Sequence, residues 1–230
     1  MKYLASILLG MIVGALVFAA GMYYNPFVEQ LAVSPLAVST GKPLDLSFTA
    51  AQRESILYTD HGESKIRTHP DRVAELWEPA IADTRVFVTV LDDSRGNVAG
   101  IGIKFATDSE RTSLINYDIL VDSSWHIYVP GQGTFFVDQV ENRWSYLREV
   151  VIPARWSSGD NWKGSFFRIM TKGPLALGTA RVTGGTGDFA GVSGEAVEAL
   201  SAQAYSVDGG LVSATGRLTI SLENPAGNAR

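Results

Sequence analysis

The densest group of residues that could do chemistry is a glycine-rich run, VTGGTGDFAGVSGEA, at residues 182–196. The spacing of Gly185, Gly187 and Ala190 matches a dinucleotide-binding loop, and Asp208 stands about 20 residues further on, where such proteins hold a ribose. That chemistry needs a helix that begins at the last small residue, so that its amides meet a pyrophosphate. Two further glycines would fall in the first turns of that helix, and 22 residues after Asp208 are too few to complete a doubly wound sheet.

A structural role for these glycines is therefore the favoured interpretation. Glycine supplies positive φ angles and bulges where a strand bends, as at the corner of a barrel. We predict that the run forms a structural turn motif, with these five residues: Gly184, Gly185, Gly187, Phe189 and Gly194.

A second candidate site consists of arginine and aromatic side chains on two predicted strands. In the segment Trp144–Ile152, Tyr146 and Arg148 share one face, and Phe166 and Arg168 share one face of the next strand. Together they could line a pocket in which arginine holds a carboxylate and tyrosine donates a hydrogen bond. The alternative is the solvent face of a sheet, where arginine is ordinarily found.

Other reactive groups are sparse. The three histidines, His61, His69 and His126, lack the close spacing of a local metal motif. Gly191-Val192-Ser193-Gly194 is not a nucleophile elbow, because the second glycine comes one residue too early. The chain has no cysteine, which excludes disulfides, thiolate catalysis and thiolate-bound metals. We therefore expect neither a metal ion nor a cofactor, and the catalytic residues of any activity are unknown.

The elements that position these residues begin with a long apolar segment. Residues 3–24 contain no charge, and a helix of 22 residues spans the roughly 30 Å hydrocarbon core of a membrane. Lys2 precedes the segment and the first basic residue after it is Lys42, so positive charge favours a cytoplasmic N-terminus. The alternative is a cleaved signal peptide, although this apolar run is longer than the usual 7–15 residues.

The chain divides into three predicted parts. Residues 1–24 are an N-terminal transmembrane anchor or signal peptide, residues 25–43 are a proline-containing linker, and residues 44–230 are a β-barrel domain with an N-terminal extension. Either interpretation of the first part exports the domain, so we expect a single-pass membrane protein with a periplasmic or extracellular domain. The net charge is −5 and basic residues do not cluster, so nucleic acid is excluded as a partner.

The exported part is predicted to be mainly β. One short helix is expected at residues 68–79, between two prolines, before the pattern changes to a period of two residues. Many short strands with turn residues between them indicate an antiparallel closed barrel or a sandwich. The expected strands cover residues 84–90, 98–106, 125–129, 134–140, 144–152, 162–171, 175–183, 195–205 and 211–222.

The glycine-rich run resembles the GGTG-x-F-x-x-x-x-G signature of the allene oxide cyclase and dirigent superfamily of small β-barrels. The preceding NWKGSFFRIMT is similar to the aromatic-K-G-S strand of these proteins, and GQGTFFVDQ resembles an earlier strand. The resemblance covers residues 131–222. It implies an eight-stranded antiparallel barrel, often dimeric or trimeric, with a largely apolar pocket. Catalytic residues do not carry over, since Ser193 stands where dirigent proteins place an arginine.

Three functions are compatible with this pattern. The first is a membrane-tethered barrel that binds a small hydrophobic ligand or an envelope partner without catalysis. The second, implied by the resemblance, is an isomerase or cyclase that acts on a lipid or a polyketide-like substrate, by shape and orientation. The third is a structural or assembly role. A barrel interior that is filled by side chains argues against the ligand-binding version of the first.

Overall fold

The computed structural model describes residues 2–23, 43–50, 59–60, 63–64 and 83–223 of the 230-residue chain. The first element is helix α1, Lys2–Tyr23. Its segment Tyr3–Gly21 is apolar, and none of that segment is buried against the rest of the protein. A helix of this length and composition near an N-terminus has the properties of a membrane anchor or of a signal sequence.

Most of the remaining described chain is β-strand. A small separate pair consists of β2 (Thr59–Asp60) and β3 (Glu63–Ser64). The main sheet has ten strands: β1 (Leu44–Thr49), β4 (Arg85–Asp92), β5 (Val98–Asp108), β6 (Leu120–Val129), β7 (Gly133–Asn142), β8 (Asn161–Ile169), β9 (Thr171–Gly173), β10 (Ala180–Gly187), β11 (Ser193–Ser206) and β12 (Gly210–Glu223).

Eight of these strands close into an antiparallel barrel. Their order is β10-β11-β12-β1-β4-β5-β6-β7, and β7 pairs again with β10 to complete the circle. Closure pairs β7 with β10, which would be the two free edges of an open sheet of these eight strands. The predicted antiparallel closed β-barrel after an N-terminal apolar helix is therefore confirmed.

Strands β8 and β9 extend the barrel wall beyond the first residue of β10, Ala180. β10 pairs with the first residues of β11, whereas β8 pairs with β11 from Ala199 to Ser206. On the other side, β9 pairs with the last part of β7, beyond the residues that β10 occupies. The two short strands and β10 thus share the gap between β7 and β11.

The two ends of the barrel differ. One end carries the loop 109–119 between β5 and β6 and a helical segment after β7, and we call it the helix end. The opposite end carries the tight turns at residues 93–97 and 130–132, and we call it the turn end. A 3₁₀ turn, Leu114–Asn116, lies in the loop of the helix end.

The helical segment corrects one sequence-based prediction. It consists of α2 (Trp144–Tyr146), a π-helical turn (Leu147–Val151) and α3 (Ile152–Trp156), so the strand predicted over residues 144–152 is wrong. Tyr146, Val150 and Ala154 recur every fourth residue, and the last two are fully buried. Burial of this helical stripe against β8, β11 and β12 outweighs the two-residue alternation of the sequence.

The caps and the proline of the segment explain its local geometry. The Asn142 side chain accepts a hydrogen bond from the Trp144 N–H at 2.9 Å, which satisfies a donor at the start of the helix. Pro153 has no N–H to donate to the carbonyl of Glu149, four residues earlier. The wider π turn directly precedes this proline, as expected where the α-helical hydrogen-bond ladder is interrupted.

A large apolar cluster occupies the barrel interior. Phe48, Phe87 and Trp125 pack with ring centroids 4.9–6.1 Å apart near its middle. The buried members of the cluster are Leu46, Phe48, Leu91, Trp125, Ile127, Phe135, Val137, Ala180, Val182, Phe189, Ala196, Leu218 and Ile220.

Two inward-facing glycines show how these rings are accommodated. A Cβ atom at Gly216 would lie 2.0 Å from Cζ of Phe48, and one at Gly102 would lie 2.8 Å from Cζ3 of Trp125. The rings therefore occupy the space that side chains at these positions would need. In the part of the barrel that the structure describes, aromatic side chains fill the middle of the interior.

The other predicted elements agree to different degrees. Eight expected strands overlap β4 to β8 and β10 to β12, although the one expected over residues 175–183 begins only at Ala180. Strand β1 was not predicted. The helix expected at residues 68–79 and residues 25–42 of the expected linker lie outside the described residues.

Candidate functional site

A group of four charged residues, three of them buried, lies inside the barrel toward the helix end. Lys104 on β5, Glu141 and Arg143 at the end of β7, and Glu198 on β11 form it, and we call these four residues the ionic cluster. Lys104, Glu141 and Glu198 are 2–7% exposed. Closure of the barrel brings them together, because each of the three points inward from its own strand.

Lys104 joins the two carboxylates. Its Nζ lies 2.7 and 2.8 Å from the two carboxylate oxygens of Glu198 and 2.8 Å from Oε1 of Glu141. The same ammonium group lies 5.3 Å from the ring centroid of Trp125, so an aromatic face covers it. All three contacts of the ammonium group are made with negatively charged oxygens.

A ring of neutral groups fixes Glu198. Trp125 donates its Nε1–H to Oε2 of Glu198 at 2.9 Å, and the side-chain amide of Gln139 donates to the same oxygen. Gln139 in turn accepts from the Thr171 hydroxyl at 2.8 Å, and that hydroxyl accepts from the backbone N–H of Glu198 at 2.8 Å. The hydrogen bonds return to the residue where they began, which fixes the orientation of the amide and the carboxylate.

Glu141 is held as a carboxylate. Ser123 donates its hydroxyl to Oε1 at 2.6 Å, and Arg143 lies 3.2 Å from Oε2 through Nη2. Burial by itself would raise the pKa of Glu141, but the charges of Lys104 and Arg143 outweigh it and lower this pKa from 4.5 to about 2. Glu141 therefore remains ionised throughout the physiological pH range.

This arrangement is better suited to holding the barrel together than to proton transfer. Two cations and two carboxylates balance in charge, and Lys104 directs its protons at three carboxylate oxygens. A general acid or base works best with a pKa near the operating pH, whereas the pKa of Glu141 lies far below it. Removal of one partner from a buried ion pair strongly destabilises the folded protein, because the other charge stays buried without compensation.

The second predicted site does come together, but on a different scaffold. Tyr146 and Phe166 make a ring contact at 5.9 Å, and the guanidinium of Arg168 lies 5.9 Å from the Phe166 ring. Arg148 and Arg168 lie 2.8 and 3.1 Å from the carboxylate of Glu149, which was not among the predicted residues. Tyr146 and Arg148 reach this position from the helical segment, not from a strand.

A small apolar cluster lies beneath the helical segment and includes the two aromatic residues of the predicted site. Its buried members are Val150, Phe166, Ala202 and Ala214, with Tyr146, Trp162 and Leu200 packed against them. The two arginines are about one third exposed or less and share one carboxylate. The ion pair between Arg168 and Glu149 thus connects β8 to the helical segment, whereas Arg148 and Glu149 both belong to that segment.

The glycine-rich run occupies the turn end. Gly184 and Gly185 lie in β10, where the pairing with β7 is irregular between Gly184 and Thr186, and Gly187 ends the strand with φ of 62°. A turn leads directly to β11, which contains Gly194. A Cβ atom at Gly184 would lie 1.9 Å from the carbonyl oxygen of Phe189, so the turn folds back against its own strand.

The outer surface of β5, β6 and β7 carries large apolar side chains. His126 contacts Phe105 at 5.2 Å and Phe136 at 4.7 Å between ring centroids. Ile101, Phe105 and Tyr128 are 37–47% exposed. We call this surface the aromatic face, and its members are Ile101, Ile103, Phe105, His126, Tyr128 and Phe136.

A surface groove adjoins the aromatic face on the side of the helix end. Its volume is about 430 Å³, and Phe105, Thr107 and Pro174 contribute to its walls. Two polar pairs lie along it: Arg111 with Asp122, 2.5 Å apart, and the Ser124 hydroxyl with Asp138, 2.8 Å apart. The groove therefore offers both apolar contact and hydrogen-bonding groups.

The outer surface on the other side of the barrel is polar. On β1 and β12, Thr219 donates its hydroxyl to Asp45 at 2.7 Å. On β11 and β12, Ser213 donates to Gln203 at 3.0 Å. We call this surface the polar face, and its outward residues are Asp45, Ser47, Gln203, Ser213, Thr215, Arg217 and Thr219.

Sequence reasoning missed the ionic cluster and the aromatic face for one reason. In VAGIGIKFA, the large residues Ile101, Ile103 and Phe105 alternate with small ones, and alternation normally assigns the large residues to the core. The structure has the opposite arrangement, because Gly102 makes room for Trp125 and Lys104 reaches two buried carboxylates. The two glycines in this strand were the available signal.

Comparisons with known proteins add no family to this description. No protein-family model and no curated protein matches the chain. Among the described residues, no group of three or more histidine, aspartate or glutamate side chains is arranged to hold a metal ion.

Proposed function

We propose that this protein is a membrane-tethered β-barrel that binds an envelope protein partner on its aromatic face and performs no catalysis. One observation carries the proposal: β5 exposes its large apolar side chains, whereas its inward residues are glycine, alanine and Lys104. Large apolar residues on a sheet surface are unfavourable in water unless a partner covers them, and aromatic residues are enriched in protein interfaces.

The barrel interior supports binding on the outside over binding on the inside. Trp125, Phe135 and Ile127 are at most 1% exposed, and their side chains fill the interior with the rest of the apolar cluster. The ionic cluster occupies the adjoining interior, where its charges are paired with one another. A small hydrophobic ligand would have to displace these side chains.

The outer surfaces differ in the way that selective docking requires. The aromatic face presents Ile101, Phe105 and Tyr128, whereas the polar face presents hydroxyl, amide and charged groups that water solvates well. Helix α1, acting as an anchor, would keep the barrel at the membrane, where envelope proteins are concentrated.

Site-specific photo-crosslinking in the producing cells tests the proposal. A photoreactive phenylalanine analogue replaces Phe105 or Tyr128 in the full-length chain, and the matched control chains carry it at Thr215 or Arg217, which are exposed on the polar face. We expect light-dependent adducts with one protein partner from the first pair of positions and none from the second pair.

Four outcomes would overturn the proposal. Absence of adducts from both Phe105 and Tyr128 would show that no partner docks on the aromatic face. Equal adducts from all four positions would show that binding is not selective for that face. An adduct of twice the chain mass would show that the partner is a second copy of this chain and not an envelope protein. A lipid or other hydrophobic molecule found by native mass spectrometry within the purified full-length protein would favour ligand binding inside the barrel.

A further inference from the structure

The position of Tyr23 links the barrel to the depth of the membrane surface. Helix α1 has 22 residues and is about 33 Å long at about 1.5 Å per residue, which matches the hydrocarbon core. Tyr23 is its last residue, where interfacial aromatic side chains are enriched. If α1 is retained as the anchor of the proposed function, on which this inference rests, Tyr23 lies at the level of the lipid headgroups.

Tyr23 touches the helix end of the barrel. Its ring centroid lies 5.9 Å from that of Trp156, and its hydroxyl donates to the backbone carbonyl of Arg148 at 3.4 Å. Trp156 is the last residue of α3 and is 76% exposed despite this contact. A tryptophan beside the interfacial tyrosine is therefore itself at headgroup depth, with most of its ring uncovered by protein.

The loop between β5 and β6 exposes apolar side chains at the same end. Leu114 is 55% and Ile115 is 76% exposed. The loop is held in place, because Tyr117 packs on Trp144 at 5.2 Å and its carbonyl accepts from the side chain of Asn142 at 3.1 Å. A fixed loop that presents two adjacent aliphatic side chains has the form of a membrane-contacting tip.

We propose that the helix end of the barrel rests on the membrane surface, with Trp156, Leu114 and Ile115 inserted among the lipid headgroups. The indole ring of Trp156 is amphipathic and favours the interface, and the exposed Arg155 beside it can approach lipid phosphates. The bilayer thus covers apolar side chains that water would otherwise contact. The barrel then projects from the membrane with its turn end farthest from the lipid. The aromatic face is directed parallel to the membrane surface.

The absence of cysteine from the sequence allows a direct test, because each introduced cysteine is unique. A fluorescent label is attached to Ile115→Cys or Arg155→Cys in the full-length chain, which is reconstituted into liposomes that contain headgroup-region quencher lipids. Labels at Arg95→Cys and Gln132→Cys, both exposed at the turn end, are the matched controls. We expect a several-fold larger loss of fluorescence at the helix end than at the turn end.

A second change tests the role of the tryptophan. Trp156→Ser in the Arg155→Cys chain should reduce the quenching, because α3 loses its interfacial side chain. Phe167→Ser, at a residue that is 51% exposed on β8, should leave the quenching of this label unchanged.

Equal quenching at all four labelled positions would overturn the inference, and so would stronger quenching at Arg95 or Gln132. A mature chain that has lost α1 and leaves the membrane would also overturn it. Photo-crosslinking from Phe105 and Tyr128 is read independently, so loss of the partner and loss of the membrane contact are distinguishable.

Discussion

Strand β7 contains two kinds of barrel interior within one run of alternate residues. Phe135 and Val137 are fully buried among apolar side chains, whereas the next inward residues, Gln139 and Glu141, are 2–3% exposed among charges and hydrogen bonds. Both parts exclude water to the same degree. They differ in the source of their stability, because apolar burial has no direction, whereas every charged group in the ionic cluster depends on particular partners.

This difference implies different responses to substitution. An apolar side chain can be exchanged for another of similar volume at small cost. A buried charged member of the cluster, Lys104, Glu141 or Glu198, cannot be removed singly without a large cost, because its partners would remain buried without compensation.

The largest expected effect comes from Glu198→Ala. This change leaves the Trp125 and Gln139 donors and one side of Lys104 without their acceptor, so the free energy of unfolding should fall by about 4 kcal/mol. Glu195→Ala on the same strand is the matched control, since Glu195 is half-buried and accepts one hydrogen bond, from Thr179. Glu195→Ala should lower the free energy of unfolding by about 1 kcal/mol. Both variants are measured by urea unfolding of the full-length chain in detergent. Equal costs for the two changes would contradict the distinction between the two parts of the interior.

The second-largest expected effect is a loss of folding stability at low pH that depends on Glu141. Its pKa is lowered from 4.5 to about 2 in the folded protein, so its stabilising contribution is complete above pH 4.5 and is lost as the pH falls toward 2. The loss should amount to about 3 kcal/mol, because one pKa unit corresponds to about 1.4 kcal/mol. Urea unfolding midpoints measured across this pH range check it.

The matched variant for this prediction is Glu141→Gln, which has no group to titrate at this position. It should be less stable than the parent chain at neutral pH and should lose less stability on acidification. Parallel pH dependence of the two chains would show that Glu141 is not the titrating group.

The apolar part of the interior was open to prediction from sequence because its pattern repeats. Phe135 and Val137 alternate with outward residues along one strand, and the turns that bound most strands are marked by glycine, proline, asparagine or aspartate. These signals predict an antiparallel closed barrel or a sandwich, and the structure confirms the closed barrel. The resemblance to allene oxide cyclase and dirigent barrels remains a prediction.

The candidate site was hidden for physical reasons. Lys104, Glu141 and Glu198 are separated by 37 and 57 residues in the chain, and a single charged residue in a strand ordinarily indicates the solvent face. Their pairing depends on the closure of the barrel, which brings β5, β7 and β11 around one interior. The helical segment was missed because Trp144, Tyr146 and Arg148 also fit a strand, while the four-residue spacing of Tyr146, Val150 and Ala154 spans only two turns.

A smaller effect is expected from Phe135→Leu in the apolar part. Phe135 packs on Phe189 at 4.8 Å, and leucine retains most of the buried apolar volume, so the cost should be about 1 kcal/mol. The cost should be the same at pH 6 and at low pH, because no titrating group is involved. A strong pH dependence in this variant would mean that the two parts of the interior are energetically coupled.

The smallest expected effect at neutral pH comes from Arg143→Gln, at the edge of the ionic cluster. The Arg143 side chain is 30% exposed, so water compensates for part of the lost ion pair and the cost should stay below about 1 kcal/mol. Its charge nevertheless helps to lower the pKa of Glu141, so the stability lost on acidification below pH 4.5 should be smaller than in the parent chain. Arg217→Gln removes the same charge from the exposed polar face and should leave that loss unchanged. An unchanged loss in Arg143→Gln would assign the low pKa of Glu141 to Lys104 and Ser123, and the boundary of the ionic interior would then end at Glu141.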